Sequence, residues 1–299
     1  MSQVVWTQWD DLRVPAGFTA LSPQDTPLEN SDLSTITFYV PQYMGGKAAL
    51  EYSRTMSSLK YLQVPNAGYD DAIEYLSPGV ILCNARGVHD ASTAELAMGL
   101  AITARRGFSD FHEAQRYGTW RHKRYPSFND SNIAIIGAGS IATMLQRYLA
   151  PYDVTVECFS RSGSNGSSKI ADLDSKLGTF DIVFLVLPLN DESRHMFDAR
   201  RLALMKDGAL IVNVARGAII DTKALIAELE SGRLYAGLDV TDPEPLPEVH
   251  DLWRVKNCII SPHVGGDSTA FESRGKRLVE EQLQRLARGE ELINIVARG

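Results

Sequence analysis

The sequence contains little of what marks metal-binding, disulfide-rich or membrane-spanning proteins. Its 299 residues include three cysteines, and none of them stands at a spacing typical of metal ligands. No apolar run approaches the roughly 18 residues that a membrane-spanning helix needs. Residues 1–13 carry neither a basic start nor an apolar signal segment. We therefore expect a reduced, cytoplasmic protein with no metal site and no membrane partner.

An excess of positive charge is also missing. The formal net charge is −7, from 30 Lys and Arg against 37 Asp and Glu. Because the phosphate backbone selects basic surfaces, this balance argues against nucleic acid as the main partner. The 44% of apolar and 22% of charged residues are typical of a globular protein, and the length allows two domains.

The order of apolar runs predicts an α/β protein. Short apolar runs alternate with helical stretches in the first hundred residues, and a second series of six strands begins near residue 132. The expected strands are 35–40, 59–64 and 80–84, followed by 133–137, 154–159, 181–187, 209–214, 235–240 and 258–261. Helices are expected over 90–107 and 268–288. The second series matches a doubly wound dinucleotide-binding sheet.

This order indicates that one domain is inserted into another. We expect two Rossmann-like or flavodoxin-like domains: a substrate domain beginning with residues 1–103, and a dinucleotide-binding domain over 104–267. The C-terminal helix and tail, 268–299, are expected to return to the substrate domain.

A glycine-rich loop follows the first strand of the second series. The stretch "IAIIGAGSIA" fits G-x-G-x-x-G/A with Gly137, Gly139 and Ala142. The first glycine allows a tight turn, the second lets a pyrophosphate approach the backbone, and the third position needs a small residue for packing. We expect the phosphates to bind at the helix start, at Ser140 and Ile141.

The next strand lacks the acidic residue that usually ends it. An Asp or Glu there would accept hydrogen bonds from the ribose hydroxyls of NAD, whereas a nearby Arg suits the 2′-phosphate of NADP. The strand closes instead on Ser160, Arg161 and Ser162. Since the guanidinium matches phosphate geometry, we expect NADP to be preferred, with NAD still possible.

Three chemically active side chains follow later strands of the same series. They are Arg216 in "NVARGAIID", Glu244 in "TDPEPLP" and His263 in "SPHVGG". Each alone is more often structural. Because strand ends of such sheets border the ligand crevice, the cation, the acid and the imidazole together predict a catalytic site.

These motifs resemble the D-isomer-specific 2-hydroxyacid dehydrogenases. The resemblance covers nearly the whole chain and is carried, in order, by "VPNAGYDDA", "NARGVHDASTAELAMG", "IIGAGSIA", "LVLPLNDESRHMF", "IVNVARGAIIDTKAL", "AGLDVTDPEPLP" and "SPHVGG". Within that family, the chain is most similar in character to NADPH-preferring glyoxylate/hydroxypyruvate reductases.

The resemblance implies a reductase of small 2-keto acids, with its active site in the cleft between the domains. His263 is then the general acid, Glu244 orients it and raises its pKa, and Arg216 binds the keto oxygen and the carboxylate. The implied site for the substrate carboxylate is the backbone of Asn66, Ala67 and Gly68.

The resemblance also implies a cofactor side and a partner. The expected roles are Asp239 toward the nicotinamide carboxamide, Gly265 near the nicotinamide and Pro188 beside the adenosine. Val214 and Ala215 complete the expected cofactor-binding residues. The expected partners are the 2-keto or 2-hydroxy acid and a second copy of the chain in a homodimer.

Two alternatives share the scaffold. One is a phosphite-type dehydrogenase. A formate-type dehydrogenase is disfavoured, because it would be expected to carry Gln in place of Glu244. The other is a non-enzymatic, redox-sensing scaffold similar to the C-terminal binding protein corepressors, which retain the Arg, Glu and His set. The missing acid after the second strand argues against an NAD sensor.

Overall fold

The computed structural model describes residues 2–164 and 166–299; Met1 and Asn165, which fall within the predicted domain ranges, lie outside the described residues. The chain divides into two compact units, one formed by Met1–His89 with Ser268–Gly299 and the other by Asp90–Asp267. Unit 2 is thus inserted between two segments of unit 1. The second division coincides with the predicted boundary, whereas the first lies at Asp90 rather than at residue 104.

The first division moves because residues 90–103 belong to one continuous helix, α2 (Asp90–Arg105). Its small and apolar side chains are buried in the core of unit 2; they are Ala94, Ala97, Met98, Leu100 and Ala101. A helix whose apolar residues are buried against one unit belongs to that unit, and the sequence pattern alone did not show against which sheet it packs.

Unit 1 is built on a six-stranded sheet. Its strands are β1 (Gln3–Trp6), β2 (Phe18–Leu21), β3 (Ile36–Tyr39), β4 (Tyr61–Gln63), β5 (Ile81–Cys83) and β13 (Ile295–Arg298), in the order β13-β5-β4-β3-β1-β2. All neighbours pair in parallel except β13, which runs antiparallel to β5. The helices are α1 (Gly46–Glu51) and α7 (Ala270–Ala287). The strands β3, β4 and β5 confirm those predicted over 35–40, 59–64 and 80–84, and α7 confirms the helix predicted over 268–288.

Unit 2 is built on a seven-stranded parallel sheet. Its strands are β6 (Asn132–Ile136), β7 (Thr155–Ser160), β8 (Ser168–Lys169), β9 (Ile182–Leu185), β10 (Leu210–Asn213), β11 (Tyr235–Leu238) and β12 (Cys258–Ile260), in the order β12-β11-β10-β9-β6-β7-β8. The six predicted strands are confirmed, and β8 adds a two-residue edge. Besides α2, the helices are α3 (Phe108–Arg116), α4 (Ser140–Leu149), α5 (Ala199–Leu204) and α6 (Thr222–Glu230).

Apolar side chains fill both faces of the unit 2 sheet. On one face a cluster gathers around Val183, Leu185 and Ile211, and on the other α2 and α4 cover Ile133 and Phe184. Two-sided burial explains why these strands are continuous apolar runs in the sequence. Because all the strands are parallel, their carboxyl ends lie at one edge of the sheet, where the loops carry the predicted site residues.

None of the described helices combines the length and the apolar composition that crossing a bilayer requires. Among residues 2–164 and 166–299, no group of three or more His, Cys, Asp or Glu side chains is arranged to hold a metal ion.

Candidate active site

The glycine-rich loop connects β6 to α4. Gly137 has a φ of 122°, which side chains rarely adopt, and a Cβ there would lie 2.7 Å from the carbonyl oxygen of Val186. The turn therefore requires glycine at this position.

Gly139 stands at the N-terminus of α4 and leaves room for a ligand. Nothing among the described atoms lies within 4 Å of the place where its Cβ would be. The N–H groups of the first turn, at Ser140 and Ile141, have no acceptor within the helix. Ala142 is 2% exposed and packs in the core, as a small residue at the third position should. The cradle fits a dinucleotide pyrophosphate.

The carboxyl end of β7 carries a polar turn without a carboxylate. The Oγ of Ser160 accepts a hydrogen bond from the N–H of Gly163 at 3.0 Å, while Arg161 and Ser162 are exposed. The Nη1 of Arg161 lies 3.4 Å from Oε2 of Glu192 in the loop after β9. This turn offers a cation and hydroxyl groups where a ribose-binding acid would stand, and the expected preference for a 2′-phosphate stays a prediction.

The other predicted cofactor residues lie at neighbouring strand ends. Pro188 is exposed in the loop after β9, and its carbonyl accepts a hydrogen bond from Oγ of Ser193 at 2.8 Å. Val214 and Ala215 directly follow β10 and are 7% and 9% exposed. Their contacts with a cofactor stay a prediction.

The structure brings His263 and Glu244 together. The two residues follow different strands, β12 and β11, yet Nδ1 of His263 lies 2.6 Å from Oε1 of Glu244. A carboxylate accepts hydrogen bonds, so Nδ1 carries a proton in this pair. The second ring nitrogen, Nε2, is then the position at which a proton can be gained or lost.

The pair shifts the titration of both partners. The hydrogen bond to Glu244 raises the pKa of His263, against the opposing effect of burial and of the Arg216 charge. Burial is the largest single effect on Glu244 and acts to raise its pKa, but the hydrogen bond and charge of His263, the N–H of Thr241 and the Arg216 charge together lower that pKa overall. The arrangement therefore stabilises an imidazolium beside a carboxylate, which is the form that can donate a proton.

Asp239 fixes the turn that carries His263. It is 2% exposed, and its Oδ1 accepts hydrogen bonds from Oγ of Ser261 at 2.6 Å and from the N–H of Val264 at 2.9 Å. Its Oδ2 accepts from the N–H of Gly265 at 2.8 Å. A Cβ on Gly265 would lie 2.9 Å from the same oxygen. The contact expected between Asp239 and the nicotinamide carboxamide stays a prediction.

Arg216 follows β10 and belongs to the same electrostatic group. Its charge acts on the pKa of both His263 and Glu244, and its Nη1 donates to the carbonyl of Ala215 at 2.7 Å. The next residue, Gly217, would place a Cβ 2.0 Å from the backbone of Thr241. Glycine at this point allows the loops after β10 and β11 to lie against each other.

The predicted substrate loop lies in unit 1, after β4. The carbonyl of Asn66 accepts a hydrogen bond from the N–H of Ala85 at 2.8 Å, and the carbonyl of Ala67 accepts from Nδ2 of Asn84 at 2.6 Å. Among the described residues, the N–H groups of Asn66, Ala67 and Gly68 have no hydrogen-bond partner. These N–H groups can therefore donate hydrogen bonds to a bound anion.

Sequence reasoning missed three residues that shape these loops: Gly217, Asn84 and His89. Gly217 stands directly after the predicted Arg216, and its position beside a functional residue was an available signal. The hydrogen bonds of Asn84 and His89 to a distant backbone leave no pattern in the sequence.

The chain matches a known family over most of unit 2. The family "D-isomer specific 2-hydroxyacid dehydrogenase, NAD binding domain" matches residues 98–265, which is more than half of the chain. Its span covers the glycine-rich loop, the turn after β7 and the His263–Glu244 pair.

Individual relatives agree with this match. The chain is 30% identical to a glyoxylate/hydroxypyruvate reductase B of Erwinia tasmaniensis over 244 residues, 77% of this chain and 75% of that protein. A D-isomer specific 2-hydroxyacid dehydrogenase family protein from Aeromonas salmonicida superposes with a TM-score of 0.86 at 24% identity, covering 99% of both chains. An NADPH-dependent glyoxylate/hydroxypyruvate reductase from Sinorhizobium meliloti, solved with NADP and sulfate, has a TM-score of 0.82 at 24% identity, covering 99% of this chain and 98% of that one.

The two solved structures show the same fold, and the family match covers the dinucleotide loop together with the loops that carry the His–Glu pair. The chain thus belongs to the D-isomer-specific 2-hydroxyacid dehydrogenases, a family of NAD(P)-dependent oxidoreductases.

Proposed function

We propose that this enzyme reduces a small 2-keto acid to the corresponding D-2-hydroxy acid, with NADPH as its preferred cofactor. The observation that carries the proposal is the 2.6 Å hydrogen bond between Nδ1 of His263 and Oε1 of Glu244. This hydrogen bond favours the protonated imidazole and leaves its Nε2–H to donate to the substrate, as a general acid for carbonyl reduction requires.

The proposed chemistry uses few groups of the chain. When bound, the dinucleotide supplies a hydride to the carbonyl carbon of the substrate. His263 donates the Nε2 proton to the carbonyl oxygen, so that the product carries a hydroxyl group. Glu244 holds the ring by its other nitrogen. In the oxidative direction the neutral imidazole takes that proton back.

Anion binding accounts for the remaining residues. Arg216 binds the keto oxygen and the carboxylate, because its planar guanidinium offers two parallel donors and favours charge developing on the oxygen. The backbone N–H groups of Asn66, Ala67 and Gly68 bind the carboxylate from unit 1.

The preference for NADPH is inferred from the turn after β7. Arg161 offers an exposed guanidinium, and no carboxylate stands at Ser160 to repel a phosphate. The Sinorhizobium meliloti relative is named NADPH-dependent and was solved with NADP, which is consistent with this inference.

The test is a substrate panel with purified enzyme, NADPH and NADH. Glyoxylate, hydroxypyruvate, pyruvate and phenylpyruvate are offered for reduction, and phosphite for oxidation with NADP and NAD. We expect at least one keto acid to be reduced, faster with NADPH at equal subsaturating concentration. His263→Ala should lower turnover by about 10²- to 10⁴-fold, the usual contribution of a general acid, while NADPH still binds.

Other results of the panel would replace the proposal. Activity with phosphite alone would identify the phosphite-type alternative. Binding of NADPH or NADH without turnover of any compound would favour the corepressor-like scaffold. Undiminished turnover by the His263→Ala enzyme would exclude that residue as the acid.

A further inference from the structure

The loop that follows β4 is held by its carbonyl groups. Beyond the contacts of Asn66 and Ala67, the carbonyl of Pro65 lies 2.7 Å from Nε2 of His89. A carbonyl oxygen can only accept a hydrogen bond, so Nε2 of His89 is the donor. Three successive carbonyls of the loop are therefore bound from the side of β5 and the segment that follows it.

Anchored carbonyls fix the direction of the N–H groups. In a trans peptide the C=O and the N–H of one unit point in opposite directions, and the cis peptides of the described chain lie elsewhere, before Pro243 and Pro245. The N–H groups of Asn66, Ala67 and Gly68 thus point away from their three anchors. They form a set of successive backbone donors, and such donors can bind an anion.

The anchors are themselves built into the core of unit 1. Asn84 and His89 are 7% and 5% exposed. The His89 ring stacks on Phe271 of α7, with centroids 5.5 Å apart and planes 9° apart, and on Tyr43 at 5.4 Å and 17°. Asn84 also accepts a hydrogen bond from the N–H of Arg86 at 3.3 Å. Side chains fixed this firmly hold the loop in one conformation.

We propose that His89 and Asn84 are positioning residues for the substrate carboxylate. They act through the backbone of residues 65–68, whose N–H groups they orient toward the substrate, and they do not touch the reacting atoms. This inference rests on the proposed function, because it takes the ligand of the loop to be the carboxylate of a 2-keto acid.

The test separates the donor of His89 from its ring packing. His89→Phe keeps the aromatic stack but cannot donate to Pro65, whereas His89→Gln keeps an amide donor near the place of Nε2. For His89→Phe we expect KM for the keto acid, and the inhibition constant of oxamate as a non-reacting carboxylate, to rise about five- to tenfold, the effect of one misdirected donor to an anion. We expect kcat at saturating substrate and the NADPH dissociation constant to stay within about twofold, and His89→Gln to restore most of the loss.

A second pair of variants tests Asn84 with a matched control. Asn84→Asp removes the donor to Ala67 and retains the acceptor for Arg86. Asn294→Asp makes the same chemical change in unit 1, where Nδ2 of Asn294 donates to the carbonyl of Arg86, outside the loop. We expect KM to rise for Asn84→Asp and to stay near the wild-type value for Asn294→Asp.

The outcomes distinguish this inference from the function on which it rests. If the wild-type enzyme reduces no keto acid, the proposed function fails. If the wild-type enzyme does reduce a keto acid, two results in His89→Phe would refute the positioning role and leave the proposed function standing. One is an unchanged KM, and the other is a loss of kcat and of NADPH affinity as large as the rise in KM.

Discussion

At the scale of single residues, His263 is held in an unusual backbone conformation. Its φ of 55° lies in the left-handed region, which costs free energy for a residue other than glycine. The surroundings maintain it: the N–H of His263 donates to the carbonyl of Asp239 at 2.7 Å, and the Asp239 carboxylate binds the two N–H groups that follow. The imidazole is thus fixed by the backbone as well as by Glu244, as a proton donor of defined direction requires.

The pKa of His263 predicts the pH dependence of keto-acid reduction. Reduction needs the protonated ring, so its rate falls as the pH rises through the raised pKa of His263. Oxidation needs the neutral ring, so its rate falls as the pH is lowered through the same pKa. In Glu244→Gln the carboxylate that raises this pKa is gone, and we expect the alkaline limb of the kcat/KM profile to move to lower pH. The exposed Glu248 of the same loop provides the control, since Glu248→Gln should leave the limb in place. An unchanged limb in Glu244→Gln would show that another group titrates.

Residue types at neighbouring strand ends predicted that His263 and Glu244 lie at one edge of the parallel sheet, and the family resemblance implied that they form a pair. The anchors of the substrate loop could not be predicted in the same way. Asn84 and His89 act through hydrogen bonds to the backbone of residues 65–67, and such bonds depend on the packing of unit 1 rather than on a motif.

At the scale of elements, burial decides which strands a sequence reveals. The strand β9 is buried along its whole length, and residues 182–187 are accordingly an apolar run. In contrast, β1, β2 and β13 have four residues each, and β2 and β13 stand at the two edges of their sheet. An edge strand buries few side chains and gives a weak pattern, which accounts for β2 and β13; β1 lies between β3 and β2, and it was not predicted either.

The loops after β7 and β9 carry an ion pair that bears on cofactor choice. Arg161 and Glu192 have side chains that are 80% and 67% exposed, and exposed pairs of this kind are worth about 0.2–1 kcal/mol. A 2′-phosphate bound at Arg161, as proposed, would displace the Glu192 carboxylate and would be repelled by it. Glu192 should therefore weaken the binding of NADPH and leave NADH binding unaffected.

Two variants of this pair should act in opposite directions. We expect Glu192→Gln to tighten NADPH binding roughly two- to fivefold, since an exposed pair of modest energy is removed, and Arg161→Gln to weaken it about tenfold through loss of a charge-assisted contact. Fluorescence titration at low ionic strength measures both, with NADH as the reference ligand. The neighbouring Asp191→Asn changes charge without a partner role at Arg161 and should have a smaller effect. Equal NADPH affinity in the wild type and Arg161→Gln would contradict the inferred NADP preference.

At the scale of the whole molecule, unit 2 exposes several aromatic side chains on α3 and on the segment that follows it. Phe108 and Phe111 on α3 are 55% and 36% exposed, and their rings meet edge to face at 6.5 Å. Phe111 also contacts Tyr125 at 5.3 Å, and the segment between carries Trp120, which is 97% exposed. Large exposed aromatic side chains in one region of the surface are typical of an interaction surface, and Phe108, Phe111, Tyr125 and Trp120 are together called the aromatic surface here. The four residues after Trp120, Arg-His-Lys-Arg, border it with positive charge, whereas the chain as a whole is acidic.

We propose that a second copy of the chain covers this aromatic surface, since two-fold homodimers are the most common assembly. Light scattering coupled to size exclusion should then give twice the mass of 33.0 kDa for the wild-type protein. Trp120→Glu places a carboxylate at the most exposed ring, and we expect it to shift the protein to the monomer mass at micromolar concentration. Trp253→Glu introduces the same charge at a ring outside this surface that is 51% exposed, and it should leave the dimer intact. A monomeric wild type would refute the dimer, and a Trp120→Glu protein that remains dimeric would place the interface elsewhere.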